Sequence, residues 1–362
     1  MEQGRAKTSA RQRQRERTLM LVIAAHIMNY IATLFRFPHT SCDNTVSKTG
    51  ENDMALKTFA ILTSGGDAPG MNAAIRAATR TALRNNCRML GSISGFRGLV
   101  EDDCIELTRL SVANIIHRGG SIIKSSRCDA FLTVEGRAKA LENCRKRGVD
   151  GLILIGGDGT MKGALAFTSE GGPPSVGLPG TIDNDIEGTD YTIGFDTAVN
   201  TALQAIDRVR DTAETMGSMF FIETMGRRSG AIALAAGMAG GCNVAICPEK
   251  VTDIDAVAEK LISDRDAGAT SLLIVVAEGD DSGGAYQLAT KIREKTGMNS
   301  KVVVLGHTQR GGNPTAQDRI IATVLGVTAV KDLLTGRSGH LLGWKADSIT
   351  RIPFADAKTS DT

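Results

Sequence analysis

The stretch F-A-I-L-T-S-G-G-D-A-P-G-M-N-A-A-I-R (59–76) decides the fold. Its opening run has no polar alternation, which marks a strand buried on both faces. From Met71 to Asn85 the apolar residues recur at helical spacing. A buried strand, a glycine turn and a helix in immediate succession form the βα unit of a parallel sheet. The unit recurs. Further apolar runs stand at 151–157, 218–224, 243–249, 271–279 and 302–307, with amphipathic stretches at 135–147, 197–215, 254–267 and 315–335. The expectation is an α/β fold with mostly parallel sheets, whose ligands sit at the C-terminal ends of the strands.

Composition narrows the function. The chain has 362 residues, 42 Lys+Arg against 40 Asp+Glu, and a formal charge of +2. That balance excludes a dedicated nucleic-acid binder, which carries a strong basic excess. Glycine is in surplus at 41 residues, against a typical share of roughly 7%, and proline is low at 8. With no G-X-Y period, collagen and low-complexity disorder are both excluded. The seven cysteines include no C-x-x-C pair, so free thiols in a reducing compartment are expected rather than a metal site or a disulfide framework.

Residues 1–56 differ from the rest. Residues 1–17 hold six basic side chains against Glu2 and Glu16, and 18–35 are uncharged. The pattern resembles a signal or anchor, but the run is short for a membrane span and is interrupted by His26 and Asn29. Met54 opens M-A-L-K just before the first strand. A start at Met54, or a dispensable extension, is the preferred reading, and membrane contact is not expected.

Four strand ends carry chemistry. T-S-G-G-D-A-P-G-M-N (63–72) offers backbone N–H groups and a helix N-terminus to a phosphate chain, or serves as a capped turn. I-G-G-D-G-T (155–160) sets Asp158 among glycines, where a carboxylate beside phosphates requires an intervening cation, hence Mg²⁺. G-L-P-G-T-I-D-N-D (177–185) puts Asp183 and Asp185 on one turn, where two carboxylates can divide the roles of base and of metal or water partner. It runs on without a helix signal, as long functional loops do. The loops at 118–127, 223–230 and 305–313 each set arginine beside glycine, which suits bidentate phosphate binding. Together these features imply phosphoryl transfer, with one polyanion on glycine loops and Mg²⁺ and another on Arg and His.

These motifs, S-G-G-D-A-P-G-M-N, G-G-D-G, P-G-T-I-D-N-D, M-G-R and G-H-x-Q-R-G-G, resemble the ATP-dependent 6-phosphofructokinase family from residue 57 to about 350. The resemblance implies two similar three-layer α/β domains. Residues 57–193 with 309–362 would form a larger ATP-binding domain, and 194–308 a smaller sugar-phosphate domain. It implies a cytoplasmic, glycolytic, allosteric kinase that forms homotetramers and phosphorylates fructose 6-phosphate at C1. Asp183 matches the general base, flanked by Thr181, Ile182 and Asp185. Asp158 matches the Mg²⁺ ligand. Gly66, Arg127, Cys128, Gly157, Asp158, Gly159 and Thr160 match ATP positions, and Arg127 would also meet the moving phosphoryl group. Met225, Gly226, Arg227 and Glu278 match sugar-phosphate contacts, and His307 and Arg310 the holders of the 6-phosphate. Pyrophosphate-dependent relatives carry Asp and Lys where this chain has Gly159 and Gly180, so ATP is the implied donor.

The chain also departs from the family pattern. Ser218 and Lys301 replace two arginines that reach a neighbouring subunit's substrate, which predicts weakened affinity for fructose 6-phosphate. In the effector site Arg76, Arg80 and Arg210 remain, but Ala269, Asn243 and Leu132 replace Lys, Glu and Arg, which predicts weak control by ADP or phosphoenolpyruvate. The polar end at Thr362 lacks a further helix of the relatives, which predicts lower stability. Alternative readings are a weakly active or non-catalytic sugar-phosphate sensor and a pyrophosphate-dependent phosphotransferase.

Overall fold

The computed structural model describes residues 57–359; the basic and apolar N-terminal segments lie outside the described residues. Among the described residues twelve strands form two sheets. The larger contains β1 (Thr58–Ser64), β2 (Arg88–Ser92), β3 (Cys104–Glu106), β4 (Ser125–Ser126), β5 (Val149–Gly156), β6 (Ser175–Pro179), β11 (His340–Lys345) and β12 (Ser348–Pro353), and the smaller β7 (Met219–Thr224), β8 (Val244–Ile246), β9 (Leu272–Ala277) and β10 (Ser300–Val304). The larger runs β12-β11-β6-β5-β1-β2-β3, with β4 beside β1, and the smaller β10-β7-β9-β8. All pairings are parallel except β2 with β3 and β11 with β12, which close the edges of the larger sheet.

Alternation within the apolar runs sorts side chains onto opposite faces. Phe59, Ile61, Ile153 and Ile155 of the larger sheet and Phe220, Ile222, Leu273 and Val275 of the smaller belong to one continuous core. Leu62, Leu152 and Leu154 face a second core with Met161 and Phe167. Met219, Phe221 and Ile274 face a third, with Leu261 and Leu288. Helices therefore cover both faces of both sheets, as the uninterrupted apolar runs require.

The central helices are alanine-rich, which explains how few aromatics the interior needs. Helix Met71–Arg84 buries Ala73, Ala74, Ala77, Ala78 and Ala82, and it packs against helix Ala316–Leu334 at Gly326. A Cβ on Gly326 would lie 2.7 Å from the Ala74 carbonyl oxygen. Asp318, at the start of that second helix, caps a third. It accepts the Gly194 and Thr197 N–H groups at 2.7 and 2.9 Å, filling the N-terminal orphan donors of helix Phe195–Met216.

Several elements exceed the sequence reading. β2, β3, β4 and β6 are short, and β6 carries glycine and ends on proline. The β11–β12 hairpin turns through Ala346 and Asp347, both at positive φ (47° and 56°), without an Asn-Gly signal. It is anchored by Asp332, which accepts Arg351 Nε and Nη2 at 2.7 and 2.8 Å and approaches His340 Nε2 at 3.0 Å. The run at 243–249 supplies only three strand residues. The six described cysteines are free thiols. Among the described residues no helix is long and apolar enough to cross a membrane.

Candidate active site

The glycine loops lie where the strand order predicts. β1 connects onward to β2 on one side, while β5 lies on its other side. The loops after β1 and β5 therefore open beside a topological switch point. Gly66 is exposed at the tip of the first loop. In the second, Asp158 begins helix Asp158–Ser169, and the Thr160 hydroxyl donates to the Ser64 carbonyl at 3.4 Å. Gly157 precedes that helix as its N-cap, and a Cβ on Gly159 would meet open space.

The loop carrying Arg127 and Cys128 is tied to the first. Asn72 donates to the Arg118 and Gly119 carbonyls and accepts the Ile122 N–H. Ser125 donates to Gly65 O at 2.8 Å. Arg127 is exposed beyond this anchorage, and Cys128 is the N-cap of helix Asp129–Leu132.

After β6 the chain runs without helix from Gly180 to Gly194, the long functional loop of the sequence reading. The hairpin holds it: Asp190 N–H donates to Trp344 O, and Trp344 N–H to Thr189 Oγ1. Thr181, Ile182 and Asp183 are buried within it. The Asp183 N–H donates to Thr181 Oγ1 at 3.2 Å, while its carboxylate Oδ1 is buried without a partner. Burial, and secondarily the Asp185 charge, push the Asp183 carboxyl up to about 6, against the pull of Arg310 and Arg227. Burial likewise raises Asp185, opposed by Arg227. A carboxylate tuned near neutrality, with an oxygen that no hydrogen bond occupies, is suited to act as a general base.

The smaller sheet faces these carboxylates with the ends of β7, β9 and β10. Met225 is buried, Gly226 has φ 145°, and the Arg227 N–H donates to Glu278 Oε1 at 2.9 Å. His307 and Arg310 share the 3₁₀ turn Gly306–Arg310. The Arg310 guanidinium crosses to the first glycine loop, where Nη1 donates to Asp67 O at 3.1 Å. Asp158, Asp185 and Arg227 line one cavity of about 1590 Å³.

Lys301 is set apart from these strand ends. It stands at the start of β10, opposite the end that carries His307, with Nζ 3.0 Å from Met216 Sδ and 5.2 Å from the Phe220 ring centroid. Gly180 also has a different part from the one expected. A Cβ there would lie 2.7 Å from Ile155 Cγ2, so this glycine permits close packing on β5 rather than opening room for a donor. The sequence reading did not single out Asn72, Asn184, Thr192 or Asp318. Asn184 alone carried a signal, as a turn-prone residue between two aspartates.

Asp158 fits a divalent cation. Lys162 Nζ donates to its Oδ2 at 3.0 Å, and its Oδ1 is buried without a partner. Among the described residues no three His, Cys, Asp or Glu side chains gather as a metal cage. Mg²⁺ characteristically takes one or two carboxylates and completes its shell with phosphate oxygens and water.

Glycine loops at a switch point, a buried unpartnered carboxylate and facing arginines define an α/β protein built to handle phosphorylated ligands. The chain belongs to the phosphofructokinase family: the family model described as Phosphofructokinase matches residues 58–333. It is 51% identical to ATP-dependent 6-phosphofructokinase 1 of Thermus thermophilus, over 83% of this chain and 94% of that protein. It is 48% identical to ATP-dependent 6-phosphofructokinase of Clostridioides difficile, with the same coverage. Among solved structures, phosphofructokinase from Saccharomyces cerevisiae aligns with a TM-score of 0.79 at 34% identity, over 83% of this chain and 45% of the yeast chain.

Proposed function

We propose that this protein transfers the γ-phosphoryl group of ATP to the C1 hydroxyl of fructose 6-phosphate. The observation that carries the reading is Asp183, buried with a free Oδ1, raised to about 6 and facing Arg227 and Arg310. A sensor of sugar phosphates has no use for so costly a carboxylate. Asp183 accepts the C1 proton as the C1 oxygen bonds to the γ-phosphorus and the β–γ bridging oxygen leaves with ADP. Arg127, exposed beyond β4, neutralises charge on the moving group. Gly66, Gly157, Gly159, Thr160 and Cys128 hold the nucleotide. Met225, Gly226, Arg227, Glu278, His307 and Arg310 hold the sugar phosphate, with Thr181, Ile182 and Asp185 around the base. Asp158 holds Mg²⁺, which when bound offsets phosphate charge.

In this reading residues 57–193 and 309–362 serve the nucleotide and 194–308 the sugar phosphate. The enzyme works in the cytoplasm as a homotetramer, in which Lys301, at the far end of the smaller sheet, serves a neighbouring copy. Asn243, in the expected effector region, is engaged within its own chain: it donates to Asp264 Oδ2 and accepts the Leu273 N–H, each at 2.9 Å. We extend the reading to weak control by ADP or phosphoenolpyruvate, and a pronounced response to either would overturn that part.

The test is a coupled assay with fructose 6-phosphate and either ATP or pyrophosphate, with Asp183→Asn as control. Turnover with ATP that the substitution abolishes supports the reading. Turnover with pyrophosphate alone, or none with either donor, overturns it.

A further inference from the structure

We propose that Asn184 is a positioning residue for the base: its side-chain amide, with Thr192, clamps the turn that holds Asp183 beneath the cleft lined by Asn184 and Asp185. The inference rests on the function proposed above. Asn184 lies between the two site carboxylates with φ 50°, in the left-handed region. A residue with a Cβ is strained there, and asparagine is among the few that tolerate it.

What the side chain does offsets that strain. Its Oδ1 accepts the Thr192 N–H at 2.9 Å, and its Nδ2 donates to the Asp190 carbonyl at 3.1 Å. Thr192 is fully buried and completes the frame from the other side. Its hydroxyl donates to Thr181 O at 2.6 Å and also lies 3.3 Å from Asn184 Oδ1. Thr181 in turn accepts the Asp183 N–H. The residues on both sides of Asp183 are therefore pinned to the same point, eight to eleven residues further along the chain.

This frame matters because Asp183 Oδ1 has no hydrogen bond of its own. A partner there would hold the carboxylate in place but would also compete for the substrate proton. Placing the restraint in the backbone leaves that oxygen without a competing hydrogen bond while the turn around it is held. The amide is also neutral, whereas an aspartate at 184 would add a third charge to the turn.

The experiment is steady-state kinetics with ATP and fructose 6-phosphate on the full chain. Asn184→Gly keeps the backbone conformation accessible and removes both side-chain bonds. Thr192→Val removes the hydroxyl and keeps the N–H. Each is expected to lower kcat by about 10- to 100-fold, with KM for both substrates within about twofold and an unchanged circular dichroism spectrum. The double variant should lose less than the product of the two single losses. Asn184→Asp retains the acceptor, so it should recover part of kcat, and its added charge should move the acid limb of the pH profile upward. Unchanged kcat in Asn184→Gly, multiplicative losses, or loss in KM alone would each overturn the clamp. An inactive wild-type enzyme would overturn the functional reading instead.

Discussion

Arg310 donates from Nη1 to the backbone carbonyl of Asp67, a residue 243 positions earlier, across 3.1 Å. The contact joins a turn beyond β10 of the smaller sheet to the glycine loop beyond β1 of the larger. Glycine at 66 leaves room for it, since a Cβ there would meet the Arg310 guanidinium, which would have to shift. The cation that also lowers the Asp183 pKa is thus seated by the loop assigned to the nucleotide.

Gly66→Ala should therefore displace Arg310. Loss of one charged hydrogen bond, about 1.5–3 kcal/mol, predicts a drop in kcat/KM for fructose 6-phosphate of about 10- to 100-fold. In an Arg310→Ala background the same substitution should cost little more, because the colliding group is gone. Equal losses in both backgrounds would mean that Gly66 acts without Arg310.

Asp183 sets opposite demands on activity and stability. As the base it works ionised, so turnover should rise with pH through about 6 and Asp183→Asn should remove most of it. Its folded pKa lies above the 3.8 of an unperturbed aspartate, so the fold favours the protonated form. The cost of ionising it is absent below about 4, grows between the two values and is complete above about 6, where it reaches at most about 3 kcal/mol. Asp183→Asn should accordingly raise the thermal midpoint at pH 8 and leave it unchanged at pH 4. A lower midpoint at pH 8 would contradict this.

Gly159 borders open space, whereas Gly180 packs against β5. Gly159→Asp can therefore fold, and it places a carboxylate beside the nucleotide loop. ATP turnover should fall by about 100-fold or more, through charge repulsion in a confined site, with a higher ratio of pyrophosphate to ATP turnover. An unaltered donor ratio would remove Gly159 from donor choice. Gly180→Lys would press on the Ile155 and Met71 side chains and should be read out first as lost stability.

Ser218 precedes β7, with its hydroxyl turned to the Met216 carbonyl at 3.2 Å, in the same region as Lys301. Ser218→Arg supplies a bidentate cation where this chain has none. If this region serves a neighbouring copy's substrate, KM for fructose 6-phosphate should fall about tenfold with kcat retained. An unchanged KM would refute that role.

The apolar runs of β1, β5, β7 and β9 were legible because double-sided burial leaves an apolar run without polar alternation. The glycine and aspartate loops were legible because phosphate chemistry restricts which residues can approach. β6 was not, since five residues containing glycine and proline read as a turn until neighbouring strands supply their hydrogen bonds. The β11–β12 hairpin hid for a similar reason: Ala346 and Asp347 announce no turn, and the ladder from His340–Pro353 to Lys345–Ser348 imposes it.

Sequence by itself determined the α/β class, the strand ends that carry chemistry and the family, because these depend on local periodicity and on residue types at fixed spacing. Only the tertiary structure decided which groups meet. It seated Arg310 on the first glycine loop, left Lys301 at the opposite end of its strand and pinned Asn184 to Thr192. It also buried Asp183 deeply enough to raise its carboxyl to about 6. Burial and long-range contact are properties of the packed chain, and no spacing along the sequence encodes how much water a carboxylate loses.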